Sequence, residues 1–98
     1  MSENEALLAV RVARNAVESE LIKTPLATID QLPPIFAMSG AVFVTIRSKE
    51  DGALRGCIGS LIAYRSLFED IINNAKSSAF NDPRFPPMIK EELPFIKF

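Results

Sequence analysis

Apolar residues Ala6, Val10, Ala13, Val17 and Leu21 recur at helical spacing behind Ser2-Glu3-Asn4-Glu5, a run of capping-box form. This pattern predicts a helix from about Glu3 to Ile22. Thr24-Pro25 closes it, because proline disfavours a helical conformation in the residue before it. Prolines 33 and 34 then predict a wrapping loop over Pro25–Gly40. Ala41–Arg47 is almost continuously apolar and rich in β-branched and aromatic residues, the pattern of a largely buried strand. Ser48-Lys49-Glu50-Asp51-Gly52 supplies turn chemistry, with Asp-Gly suited to positive φ, and Leu54 to about Ile62 returns as the second strand of a hairpin. Ser66-Leu67-Phe68-Glu69 caps a second helix, Leu67–Phe80, whose Leu67, Ile71, Ala75 and Ala79 form a stripe widened by Phe68 and Ile72. Pro86-Pro87 predict a short helical turn through Leu93, and Pro94–Phe98 reads as a strand just starting. Residues 1–98 therefore predict one α+β unit, an antiparallel hairpin packed by helices.

Composition narrows what this unit can do. It is 48% hydrophobic, enough to build a core, and 23% charged. Eleven Lys and Arg against 12 Asp and Glu leave a net charge of −1, which removes the broad positive field on which phosphate-backbone binding depends and disfavours a nucleic-acid partner. Charges at Arg11, Arg14 and Glu18, and again at Arg55, Arg65 and Asp70, interrupt every apolar stretch, so no membrane span is expected. Met1–Glu5 is acidic where a secretory signal would be basic, and the chain reads as cytoplasmic. Cys57 is the single cysteine and histidine is absent. An internal disulfide, a multi-cysteine zinc site and any Cys-His or Ser-His pair are thereby excluded, and neither a metal nor a cofactor is predicted.

The chemistry that remains is concentrated in Leu54-Arg55-Gly56-Cys57-Ile58-Gly59. Strand alternation places Arg55 and Cys57 on one face, with Leu54, Ile58 and Ser60 toward the other. Gly56 and Gly59 imply a bulge or the close approach of another backbone or a ligand. A neighbouring guanidinium favours the thiolate, which would make Cys57 a nucleophile and Arg55 a stabiliser of negative charge. The plainer reading of a free cysteine is a small buried hydrophobe, and it is the preferred one here. Arg55 is expected to line a wet, functional face, since a cation in an apolar strand needs a partner or water. Asn81-Asp82-Pro83-Arg84-Phe85-Pro86-Pro87 is the second dense segment, in which Asp82 is expected to bond local backbone and Phe85 to plug the core. Glu91-Glu92 and Glu50-Asp51 read as solvated charge.

Phe43-Val44-Thr45-Ile46, the run from Leu54 to Leu61, and Asp82-Pro83-Arg84-Phe85-Pro86-Pro87 at this separation closely resemble the AMMECR domain family. The resemblance covers essentially the whole chain. It implies an α+β domain of two subdomains with the Leu54–Gly59 segment facing the cleft between them, and family association with Memo-type and radical-SAM proteins. It also implies that members continue for about as much sequence again, so this chain is expected to supply the N-terminal portion of an incomplete two-subdomain fold, sticky along its C-terminal strand. The reading that follows is a binding or adaptor module for a protein or small-molecule partner, with Leu54, Gly56, Ile58, Gly59, Asp82 and Arg84 lining the site. The alternatives are an enzyme or enzyme component using Cys57 and Arg55, and nucleic-acid binding.

Overall fold

A computed structural model describes residues 1–26 and 31–98. Helix α1 (Glu3–Ile22) begins as its capping box requires: the Glu5 amide donates to Ser2 Oγ and the Ser2 amide to Glu5 Oε1. It ends at Lys23 in the left-handed conformation, φ 58°. A 3-10 turn at Pro34–Ala37 seats Phe36 in the core, where the loop expected over Pro25–Gly40 falls within the described residues; its positions 27–30 lie outside them. Strands β1 (Phe43–Ser48) and β2 (Leu54–Gly59) form the hairpin, followed by α2 (Leu67–Phe80), a 3-10 turn at Lys90–Phe95 and the short strand β3 (Ile96–Lys97). The sheet order is β2-β1-β3, antiparallel throughout. The fold is the α+β hairpin with helical packing that the pattern predicted.

The turn between β1 and β2 works as Asp-Gly turns do. Gly52 takes φ 73°, its amide donates to Ser48 O, and Asp51 Oδ1 accepts from the Ala53 amide, so Asp51 is a turn-former rather than only a solvated charge. Strand β2 is shorter than expected. The Ser60 amide still donates to Val42 O, but Leu61 and Ile62 turn out into solvent because the Ser60 hydroxyl is drawn back to Asp70 Oδ1. Pro86-Pro87 open no helix; the 3-10 turn starts at Lys90, with Glu92 Oε2 accepting from the Ile89 amide. Met88, not Phe85, enters the core there.

The core gathers Val12, Ala13, Ala16 and Val17 of α1, Val44 and Ile46 of β1, Leu67, Ile71, Ala75 and Ala79 of α2, and Ile96 of β3. Each of the larger side chains contributes about 1.5–3 kcal/mol by leaving water. The buried stripe of α1 is rotated from the one its periodicity predicts: Val10 is 43% exposed while Val12 and Ala16 are buried. Helix α1 packs on α2, and its residues Ala6, Ala9, Val10 and Ala13 line a groove shared with β1.

A second stripe on α2 is polar and equally buried. Asp70, Asn74 and Ser78 are 0%, 5% and 0% exposed and stand one turn apart. Asp70 Oδ2 accepts from the Val42 amide, Asn74 Nδ2 donates to Val42 O, and Ser78 Oγ accepts from the Ile58 amide while bonded to Val44 O. The helix is thereby fastened to both strands of the hairpin. Gly56 permits the approach: a Cβ on it would lie 2.1 Å from the Ser78 carbonyl oxygen. Gly56→Ala should therefore destabilise the chain by about 1–3 kcal/mol or more through overpacking against backbone. Gly59→Ala, whose Cβ would meet the movable, exposed Phe43 ring, should cost clearly less. Urea unfolding of the two variants checks this, and equal costs would contradict it.

Candidate functional site

The Leu54–Gly59 segment is the outer edge of the sheet, and its partners come from the chain that leaves α2. The Ser60 amide bonded to Val42 O sets the hydrogen-bonding phase of the β1–β2 ladder. In that phase Gly56 and Ile58 turn their backbone groups to β1, whereas Cys57 turns its own outward. The outward groups are met by the Asp82-Arg84 turn: Asp82 Oδ2 accepts from the Cys57 amide at 3.0 Å, and Arg84 Nη2 donates to Cys57 O at 3.3 Å. Two side chains thus do for β2 what a further strand would do.

Asp82 is 4% exposed and fully engaged, since it also accepts from Arg84 Nε, Nη2 and amide. The bonds from the Arg84 side chain, then that from the Cys57 amide, hold its carboxyl well below the usual range. Asp82 likewise raises Arg84 above its ordinary value. The Arg84 side chain remains 55% exposed.

Arg55 is the extra residue of a bulge. The register passes from Ile46↔Gly56 to Arg47↔Leu54, leaving Arg55 without a partner across the ladder. The bulge aims its side chain along the edge. Arg55 Nε and Nη2 fork onto the two carboxylate oxygens of Glu92 at 2.7 and 3.1 Å, and Nη2 also reaches Pro86 O at 2.8 Å. Its Nη1 is buried with no hydrogen-bond partner among the described residues. The side chain is only 15% exposed, so the free, wet Arg55 face expected from alternation is not what forms. Glu92, expected as solvated charge, is its internal counter-ion, and Arg55 in turn lowers the Glu92 pKa. Phe85 is half-buried, with the guanidinium carbons of Arg55 and Arg84 at 5.9 and 5.5 Å from its ring centre. The proline-flanked turn holds it over these cations instead of the core.

Cys57 is half-buried, its Sγ 3.4 Å from Thr45 Oγ1 across the ladder. Leu54 and Ile58 are also half-buried, and Gly56 is closed off under α2. Gly59 lies apart, at the rim of a depression of about 660 Å³ with Leu61, Tyr64, Arg65 and Asn73. The structure accordingly brings together Cys57, Asp82, Arg84, Phe85, Arg55 and Glu92, and leaves Gly59 at the far end of the strand. Among the described residues there is no group of three or more His, Cys, Asp or Glu side chains placed to hold a metal. Sequence reasoning missed Glu92 and Thr45 as site neighbours. Register would have found Thr45, since it pairs with Cys57, but no local spacing links Glu92 to Arg55.

A family model for AMMECR1 matches residues 10–98. A protein of Methanosarcina acetivorans is 41% identical over 97 residues, covering 95% of this chain and 48% of that relative. One of Methanothermobacter thermautotrophicus is 42% identical over 94 residues, again 95% of this chain and 48% of the relative. The crystal structure of an uncharacterized protein from Pyrococcus horikoshii superposes with a TM-score of 0.88 at 34% identity, covering 98% of this chain and 49% of that one. The chain spans about half the length of the curated relatives it matches.

Asp82 and Glu92 both ionise more readily folded than unfolded. Their stabilisation is therefore complete above the unfolded carboxylate values of about 3.9 and 4.3, and is lost as pH falls through the depressed folded values. Urea midpoints should fall steadily from about pH 5 to pH 2, and Glu92→Gln should flatten part of that fall. Arg55→Ala should lower stability by about 1–3 kcal/mol at pH 7, because it strands the Glu92 carboxylate. A pH-independent midpoint, or an Arg55→Ala variant as stable as the parent, would count against this account.

Proposed function

This chain belongs to the AMMECR1 family, and we propose that it is a binding module that takes a carboxylate or other anionic group of a partner at the Cys57–Arg84 surface. The observation that carries this is the state of Arg84. Asp82 orients its guanidinium from beneath, yet more than half of the side chain stays open to solvent beside Phe85 and the half-buried Cys57. A planar fork held in place loses little freedom on meeting a planar anion, which favours recognition by geometry rather than by charge alone. Arg55, occupied by Glu92, serves as a support for this surface rather than as a contact. Leu54 and Ile58 flank it along β2, Gly56 is closed off beneath α2, and Gly59 lies outside it.

A second reading, catalysis by Cys57 as nucleophile, draws on the incomplete burial of the thiol and on its position beside the Arg84 charge. Among the described residues the thiol has no base in hydrogen-bond contact, since histidine is absent from the sequence and Asp82 is fully engaged.

Titration of the isotopically labelled chain with inorganic phosphate and with a short acidic peptide should move the amide resonances of Cys57, Arg84 and Phe85. Arg84→Lys keeps a positive charge beside Asp82 but loses the fork, and should weaken binding about tenfold or more with the fold retained. Resonances unmoved by either probe would overturn the binding reading. Iodoacetamide separates the second: an ordinary thiol rate leaves Cys57 structural, and a rate well above it at pH 7 favours the nucleophile.

A further inference from the structure

The depression beyond Gly59 carries polar groups that the packing of α2 on the hairpin leaves unused. It measures about 660 Å³, and its lining includes Leu61, Tyr64, Arg65, Asn73, Asn74 and Ser77. Arg65 is the one charged side chain in the described lining. Its backbone is fastened on both sides of the α2 cap, since the Gly40 amide donates to Arg65 O and the Leu67 amide to Met38 O. Its side chain is fastened as well. Nε donates to Oδ1 of the fully buried Asp70 at 2.8 Å, and the guanidinium carbon lies 4.7 Å from the centre of the Tyr64 ring. Among the described residues no hydrogen bond is made by Nη1 or Nη2. The Arg65 side chain is 21% exposed, and this free end of the guanidinium is what it offers to the depression.

Asn74 is arranged in the same way, although only 5% of it is exposed. Val42 O, Ser60 Oγ and Asp70 Oδ2 each lie 3.0 Å from its Nδ2, and three acceptors around one nitrogen fix which way the amide points. Its Oδ1 then accepts no hydrogen bond among the described residues. That oxygen is not sealed in, because the buried side-chain polar atom without a partner among those residues is Arg55 Nη1 alone. The space it opens to is the depression that Asn74 lines. Asp70 thus holds a forked cation with one oxygen and an amide with the other, so a free cation and a free acceptor stand within a small molecule's length.

We propose that this depression is a ligand site for a small carboxylic acid that carries an amino or hydroxyl donor on the neighbouring carbon and an apolar tail. The carboxylate meets the free fork of Arg65, whose planar geometry suits it and whose position is already fixed. The donor meets Asn74 Oδ1, with Ser77 on the same wall, and the tail lies along Leu61 and Tyr64. The site shares no residue with the Cys57–Arg84 surface, so either can fail without the other.

The test titrates the isotopically labelled chain with leucine, with leucic acid, its hydroxyl counterpart, and with isocaproate, the same skeleton lacking the donor. Leucine or leucic acid should move the amide resonances of Tyr64, Arg65, Asn74 and Ser77 and leave those of Cys57 and Phe85 in place. The tighter of the two identifies the donor. Isocaproate should bind about tenfold more weakly or worse, because it covers the Asn74 oxygen without pairing it. Arg65→Lys keeps a charge beside Asp70 but loses the fork, and should weaken binding about tenfold. Tyr64→Ala, at an exposed position, should also weaken binding and serves where the lysine variant fails to fold. Arg84→Lys should leave binding unchanged. Unmoved resonances at tens of millimolar ligand, equal binding by isocaproate, or shifts centred on Cys57 and Phe85 would overturn the proposal.

Discussion

A helix can be bonded to the backbone of a β-hairpin only if its contacting face carries donors and acceptors, and only if the strand beneath has no side chain in the way. Both conditions meet at α2. Asp70, Asn74 and Ser78 place three buried polar groups along one face, and each is used on the strands' own amides and carbonyls. Asp70 would be costly alone at 0% exposure, but Arg65 Nε, Ser60 Oγ, Asn74 Nδ2 and the Val42 amide all donate to it. Burial pushes its pKa up, but the bonds from Ser60, the Val42 amide and Arg65 outweigh that and lower it. Gly56 supplies the second condition.

The consequences run outward from that contact. With α2 fixed across the hairpin, its C-terminal end arrives under the free edge of β2, and the turn that follows can cover Cys57 with Asp82 and Arg84. Pro83, Pro86 and Pro87 stiffen the route by which the chain returns, and the Arg55–Glu92 fork ties that route to the strand it passes. The residues that looked most chemical in isolation are thus largely engaged with one another. On that surface, what is left to meet a partner is the outer part of Arg84 and the half-buried thiol.

Much of this architecture is legible in the chain. The hairpin follows from β-branched runs on either side of an Asp-Gly turn, and both helices start where Ser caps and Glu three residues on require. Local chemistry decides such features, so local reading finds them. The buried polar stripe was not found, because Asp, Asn and Ser at helical spacing look like a solvated face unless the partner backbone is known. Glu92 escaped for a related reason: its mate Arg55 lies 37 residues away and no periodicity connects them. Phe85, which the proline-restricted turn suggests as a core plug, is instead held beside two cations brought from separate parts of the chain.

By itself the sequence determined the two long helices, the hairpin, their order, the α+β class and the family, all of which depend on neighbours along the chain and on motifs of fixed spacing. Tertiary structure alone decided which charges are spent internally and which face outward. It also decided how the outer edge of β2 is closed. Those outcomes depend on ladder phase, on a one-residue bulge at Arg55 and on the angle at which α2 crosses the strands. A side chain's availability is a property of the space around it, and that space is assembled from residues far apart in sequence.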